Sequence, residues 1–192
     1  MRVTAKTGPL KSMTTKPKIE VKYYGTSNDP MWQMEVEKLF PWLYGKGADI
    51  GASIRTIDDK TIRVDIDKKT QPDILASGDK LPFKDGELDY ITAIHNFEHY
   101  PNQEKVLTEW LRVLKVGGII GIVHPDIDFT KKQNPEIDNP GLKANPFNRH
   151  YHEHNQKSFL RQLKKWADLP FQLIDSGVAC GNWSFYVILK KT

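Results

Sequence analysis

The chain has 192 residues, enough for one domain with a proper core and short for two. Hydrophobic residues at 39% and charged residues at 27% are ordinary for a soluble globular protein, and no apolar run is long enough to span a membrane. The lone Cys180 excludes an internal disulfide and fits a reducing, cytoplasmic setting, while a net charge of +4 without interleaved aromatic and basic residues argues against a nucleic-acid partner.

Residues 1–20 read as a flexible basic arm rich in Lys, Thr and Pro. The arm lacks the apolar stretch of a secretory signal, so none is expected. Residues 21–192 read as a single domain. In "SNDPMWQMEVEKLF", Ser27, Asn28 or Asp29 can cap a helix that has Pro30 in its first turn. Trp32, Val36, Leu39, Phe40 and Leu43 recur at helical spacing, so one face should be buried, and Pro41 should end or kink the helix.

From Gly47 the pattern changes to short apolar runs, each followed by a polar or glycine turn: "ADIG", "IRVDID", "DILA", "LDYITAI" and "GGIIGIVHPD". Between the last two lies the amphipathic "NQEKVLTEWLRVLK", whose helix Gly117-Gly118 should close with a left-handed cap. Residues 129–149 are rich in Pro, Asn and Lys and read as a long loop, a place where lids and substrate-binding segments are found. Asn155 then caps a helix over "QKSFLRQLKKWA", and "FQLIDSG" and "WSFYVILKK" are two further strands. Strands alternating with helices predict a doubly wound α/β sheet.

In such a sheet ligands bind beyond the carboxyl ends of the strands. Candidate binding residues fall at four of these ends: Gly51, Asp65, Ser77-Gly78 and His95. A carboxylate ending the second strand is suited to accept hydrogen bonds from a ribose diol, which points to a bound nucleoside.

With "GADIGASIRTI", "IRVDID", "DKLPFKDGELDYI", "EHY" and "EWLRVLKVGG" in this order, Gly47 to Asp126 resembles the class I S-adenosylmethionine-dependent methyltransferases, in particular the small type 11 branch. The resemblance implies a Rossmann-like, mostly parallel sheet with an antiparallel C-terminal strand, and S-adenosylmethionine as cofactor. It implies that Asp49 and Gly51 open the cofactor loop, with the amides of Gly51, Ala52 and Ser53 facing the methionine moiety. Asp65 would hold the ribose and Ile66 would lie against the adenine. Ser77 and Gly78 stand where many relatives carry an adenine-reading acid, and His95 would sit beside the sulfonium. The family loop has two further glycines, where this chain has Ser53 and Arg55. A serine fits if its φ is negative. The arginine either points outward or pairs with the cofactor's carboxylate.

Histidines carry the remaining chemistry. His95 is a candidate for cofactor or acceptor contact, and His99 for stabilising its own loop. In "RHYHEH" an extended chain puts His150, His152 and His154 on one side, with His124 and Asp126 nearby, a set that could hold zinc. The similar family segment carries histidines without metal, so no metal is expected. His95 and His152 are read as the catalytic residues, His152 as a base for a hydroxyl or amine. No cysteine lies near the site and no "DPPY"-like tetrad follows the fourth strand, so the acceptor is expected to be a small or medium-sized molecule rather than a nucleic-acid base. The alternative is a non-catalytic module of the same fold that binds a nucleoside or a partner.

Overall fold

The computed structural model describes residues 30–133 and 149–192. Seven strands form one sheet in the order β3-β2-β1-β4-β5-β7-β6. They are β1 (Gly47–Ile50), β2 (Ile62–Asp65), β3 (Ile74–Leu75), β4 (Leu88–Ile94), β5 (Leu114–Pro125), β6 (Phe171–Cys180) and β7 (Ser184–Lys191). The first five pair in parallel, and β7 runs antiparallel to both β5 and β6. This is the Rossmann-like sheet with an antiparallel C-terminal strand. The order turns back at β1, with β2 to one side and β4 to the other, and that switch point opens the crevice where ligands bind.

The sheet is buried on both faces because alternate residues of the inner strands are apolar both ways. In β7, Phe185, Val187 and Leu189 pack into one core and Ile188 into the other. The first core receives Val106, Leu107 and Trp110 from α2 (Gln103–Val113), and Phe159 and Leu163 from α4 (Gln156–Lys165). The second receives Trp32 and Val36 from α1 (Pro30–Glu37). Each large side chain so buried contributes about 1.5–3 kcal/mol. Asn155 caps α4 as expected, accepting from the Ser158 amide at 2.8 Å. Ser27, Asn28 and Asp29 lie outside the described residues.

Two local expectations are corrected. Helix α2 ends at Val113, and Leu114 after it is already extended (φ −78°, ψ 145°), so no glycine caps it. Gly117, at φ +83°, instead serves an irregularity in β5, where the pairing jumps from Leu88↔Leu114 to Tyr90↔Ile119. The extra residues must turn out of the sheet, and glycine takes that left-handed conformation without strain. The supposed loop at 129–149 begins inside a helix, α3 (Ile127–Gln133), and its residues 134–148 lie outside the described set.

Candidate active site

A cleft of about 1030 Å³ opens along the carboxyl edge of β1 to β5. It collects every cofactor-loop position read from the sequence: Asp49, Gly51, Ala52 and Ser53 after β1, Asp65 and Ile66 after β2, Ser77 and Gly78 after β3, and His95 after β4.

The loop after β1 is held from within. Gly51 and Ala52 donate their N–H groups to the Val64 carbonyl at 2.8 and 3.3 Å, and Ser53 donates to Asp65 Oδ2 at 2.7 Å. These three amides therefore do not stand free for the methionine moiety, contrary to what the resemblance implied; they extend the β1–β2 ladder and pin the loop to Asp65. Ser53 has φ +55°, not the negative value expected, and its charge-assisted bond to Asp65 offsets the roughly 1–2 kcal/mol that this conformation costs a residue with a Cβ. Gly51 is at φ +72°, and a Cβ there would lie 2.0 Å from Asn96 Nδ2, so no larger residue fits. Arg55 lines the cleft with its guanidinium 4.8 Å from the Trp32 ring centroid, a cation–π contact that keeps it beside the loop.

Asp65 is buried and accepts a second amide, from Asp67 to Oδ1 at 2.8 Å. Each carboxylate oxygen retains a further lone pair, so the fixed group can still accept from a diol. Ser77 donates its hydroxyl to Asp79 Oδ1 at 2.6 Å, and Lys105 donates to Asp79 Oδ2 at 2.8 Å, which together hold the Asp79 pKa below its usual range. Asp79 thus brings a carboxylate into the cleft one step beyond Gly78. Ile66 and Ile54 are each 52% exposed, offering apolar surface.

Asp49 is 1% exposed, and its carboxyl accepts from the Thr92 hydroxyl at 2.7 Å. Burial, partly countered by Thr92, pushes its pKa up to about 7, with Asp65 adding to the rise.

His95 turns into the cleft from the end of β4 at φ +51°, its own amide bonded to the Val123 carbonyl at 2.9 Å. Its Nε2 donates to Glu35 Oε1 at 2.8 Å, and Ser184 Oγ donates to the same oxygen at 2.6 Å. Burial works against the imidazolium, but the hydrogen bond and charge of Glu35 outweigh it, and the His95 pKa ends above its ordinary value. Sequence reasoning missed Glu35. The signal was present: Glu35 follows Trp32 by three residues and precedes Leu39 by four, so a carboxylate falls on the buried face of α1. Trp183 was missed too; it lines the cleft from the β6–β7 turn, its ring centroid 6.2 Å from that of His95.

The histidine run divides. His150 lines the cleft beside His99, ring centroids 5.0 Å apart. His152 does not line it: its Nε2 donates to the Pro101 carbonyl at 3.2 Å and its ring lies parallel to that of His154. His154 packs against buried His124, which stacks on Phe185, and burial lowers the pKa of both imidazoles, that of His124 to about 3. The irregular backbone between residues 149 and 155 breaks the alternation that an extended strand would have given.

Residues 43–122 match the family model described as a methyltransferase domain, of type 11. Over that span the chain is similar to type 11 methyltransferase domains. Among curated relatives, an uncharacterized protein of Methanocaldococcus jannaschii is 33% identical over 113 residues, covering 52% of this chain and 55% of that protein. The mitochondrial 2-methoxy-6-polyprenyl-1,4-benzoquinol methylase of Leishmania donovani is 34% identical over 67 residues, 35% of this chain and 22% of that protein. The chain thus spans about half or less of the length of the curated relatives it matches. The fold is shared with the crystal structure of an S-adenosylmethionine-dependent methyltransferase from Thermotoga maritima, at TM-score 0.61 and 16% identity over 84% of this chain and 89% of that one. The cofactor of this domain class is S-adenosylmethionine, and the cleft offers a pinned carboxylate, exposed isoleucines and an arginine at the loop. Among the described residues no helix is long and apolar enough to cross a membrane.

Proposed function

We infer that the protein transfers the methyl group of S-adenosylmethionine to a hydroxyl or amine of a small or medium-sized acceptor. The observation that carries this reading is the Glu35–His95 pair in the cleft wall. A module that only held a nucleoside would have no use for an imidazole oriented by a buried carboxylate. With Nε2–H committed to Glu35, Nδ1 keeps the lone pair and is the nitrogen that accepts a proton. The cofactor supplies an electrophilic methyl; the chain holds the acceptor against it, excludes water, and takes the acceptor's proton on His95. Glu35 then stabilises the imidazolium. His152, tied to Pro101 outside the cleft, is not assigned a catalytic role here.

Cofactor recognition follows from the loop. Because the amides of Gly51 to Ser53 are engaged within the fold, Arg55 is the group assigned to the methionine carboxylate, while Asp65 takes the ribose, Ile66 the adenine face, and Ser77, Gly78 and Asp79 the adenine edge. Cytoplasmic placement is supported by the single cysteine, Cys180, which lies buried.

The engaged loop amides also favour the second reading, a non-catalytic nucleoside-binding module. Calorimetry with S-adenosylhomocysteine, followed by methyl transfer from labelled S-adenosylmethionine to pooled alcohols and amines, separates the two. His95→Ala should leave S-adenosylhomocysteine binding within about twofold and reduce transfer by 10²- to 10⁴-fold, the range for losing a general base. Binding without transfer to any pool would establish the module instead.

A further inference from the structure

Glu98, His99 and His150 also line the cleft and have no part in holding the nucleoside as assigned above. We propose that these three side chains bind a divalent first-row transition cation of the zinc type, with a coordination position left open to the cleft.

The three residues offer ligand atoms that all lie within 4.8 Å of one another, and His99 Nε2 is 3.9 Å from Glu98 Oε1. Ligands at about 2.0–2.2 Å from a tetrahedral ion stand roughly 3.3–3.6 Å apart, so side-chain movements of about 1 Å gather them. Glu98 supplies the independent reason to expect an ion. Its side chain is 1% exposed, and neither carboxylate oxygen has a hydrogen-bond partner among the described residues. A buried carboxylate without a donor is costly, and a cation at that point removes the cost.

The surroundings have the form of a prepared site. His99 Nδ1 donates to the Arg149 carbonyl at 3.1 Å, which fixes the tautomer and leaves the lone pair on Nε2, the nitrogen nearer Glu98. Metal-binding imidazoles are oriented in just this way by a carbonyl behind them. The Tyr151 amide donates to the Glu98 carbonyl at 2.9 Å, so the two segments that bear the ligands are tied together by backbone. Two imidazoles and one carboxylate select a borderline ion such as zinc, since magnesium and calcium take oxygen ligands. The set differs from the one read off "RHYHEH": of that run only His150 takes part, because His152 and His154 lie against other groups.

The test reads the metal directly, so it stands apart from methyl transfer. The full chain, stripped with a chelator, is titrated with Zn²⁺ against a chromophoric chelator and with Co²⁺ by visible absorption, with circular dichroism and S-adenosylhomocysteine binding followed in parallel. The expected result is one zinc per chain, bound at least tenfold more weakly in His99→Gln, His150→Gln and Glu98→Gln, and unchanged in His152→Gln. The visible cobalt band should be lost in the same three variants. If Glu98→Gln fails to fold, the two histidine variants decide. A folded chain that retains no zinc overturns the proposal. So does zinc that survives in His99→Gln and His150→Gln, or that is lost in His152→Gln alone. Absence of S-adenosylhomocysteine binding with zinc retained would break the cofactor reading and leave the metal site standing.

Discussion

The two ends of the sheet treat the same residue types in opposite ways. At the amino end, Glu87 and Asp89 flank the start of β4 and meet Lys46 and Lys115, with Lys115 Nζ 2.6 Å from Asp89 Oδ1. These hydrogen-bonded lysines hold both acids below their usual pKa range. At the carboxyl end, Asp49 and Glu98 are buried with no lysine or arginine hydrogen-bonded to either carboxyl among the described residues, and burial raises both. Two residues with a Cβ, Ser53 and His95, take positive φ there, whereas at the amino end that conformation falls to glycines, Gly45, Gly86 and Gly117. One end is satisfied by its own chain and carries stability. The other holds unmet polar demand that a ligand can meet, which is where strain and unpaired charge are tolerated in functional sites.

The largest expected effect tests that demand through pH. Asp49 is raised from 3.8 to about 7 in the fold. An acid shifted this way keeps a proton in the native state that the unfolded chain has released, so stability falls as pH rises from about 4 to about 7 and levels off above. At about 1.4 kcal/mol per pKa unit the span is on the order of 4 kcal/mol. Asp49→Asn should remove this fall, read as the wild-type-minus-variant difference in denaturation free energy between pH 5 and 8, in which the opposite contributions of the buried imidazoles of His124, His150 and His154 cancel. A difference that is level or rising over that interval would erase the contrast between the two ends.

Next in size is Asp65→Ala. It removes the carboxylate assigned above to the ribose and, on that assignment, should weaken S-adenosylhomocysteine binding by about 1.5–3 kcal/mol in calorimetry. It also releases Ser53 and Asp67, so the melting temperature should fall. Unchanged affinity in a folded variant would mean the ribose lies elsewhere.

Arg55→Ala sharpens the assignment within the cleft. S-adenosylhomocysteine should bind about 1–2 kcal/mol more weakly, within the range for a charge-assisted bond and its desolvation. 5′-Methylthioadenosine, which lacks the carboxylate, should be unaffected. Equal losses for both ligands would place Arg55 in loop support alone.

The smallest effect belongs to the amino end. Lys115→Ala breaks a half-exposed ion pair and should cost no more than about 1 kcal/mol in denaturant unfolding, with S-adenosylhomocysteine affinity intact.

Much of this arrangement was legible in the residues. Short apolar runs in β4 and β7, helical spacing in α2 and α4, and the Asn155 cap are local consequences of side-chain chemistry. The four strand-end positions follow from the order of the elements, because parallel strands bring their carboxyl ends to one edge. The sequence by itself therefore determined the sheet, its ligand edge, and the residues from Asp49 to His95 that meet there. Tertiary structure decided which groups are already spent and which remain. The amides of Gly51 to Ser53 are used because β2 lies beside the loop, and that register is a long-range fact. Glu35 reaches His95 across sixty positions of chain because Trp32 and Val36 of α1 join the same core cluster as Ile94, the last residue of β4. His150 parts from His152 because the Glu98 carbonyl binds the backbone between them. A hydrogen bond needs its partner within about 3 Å, and only the folded chain sets which distant residues come that close.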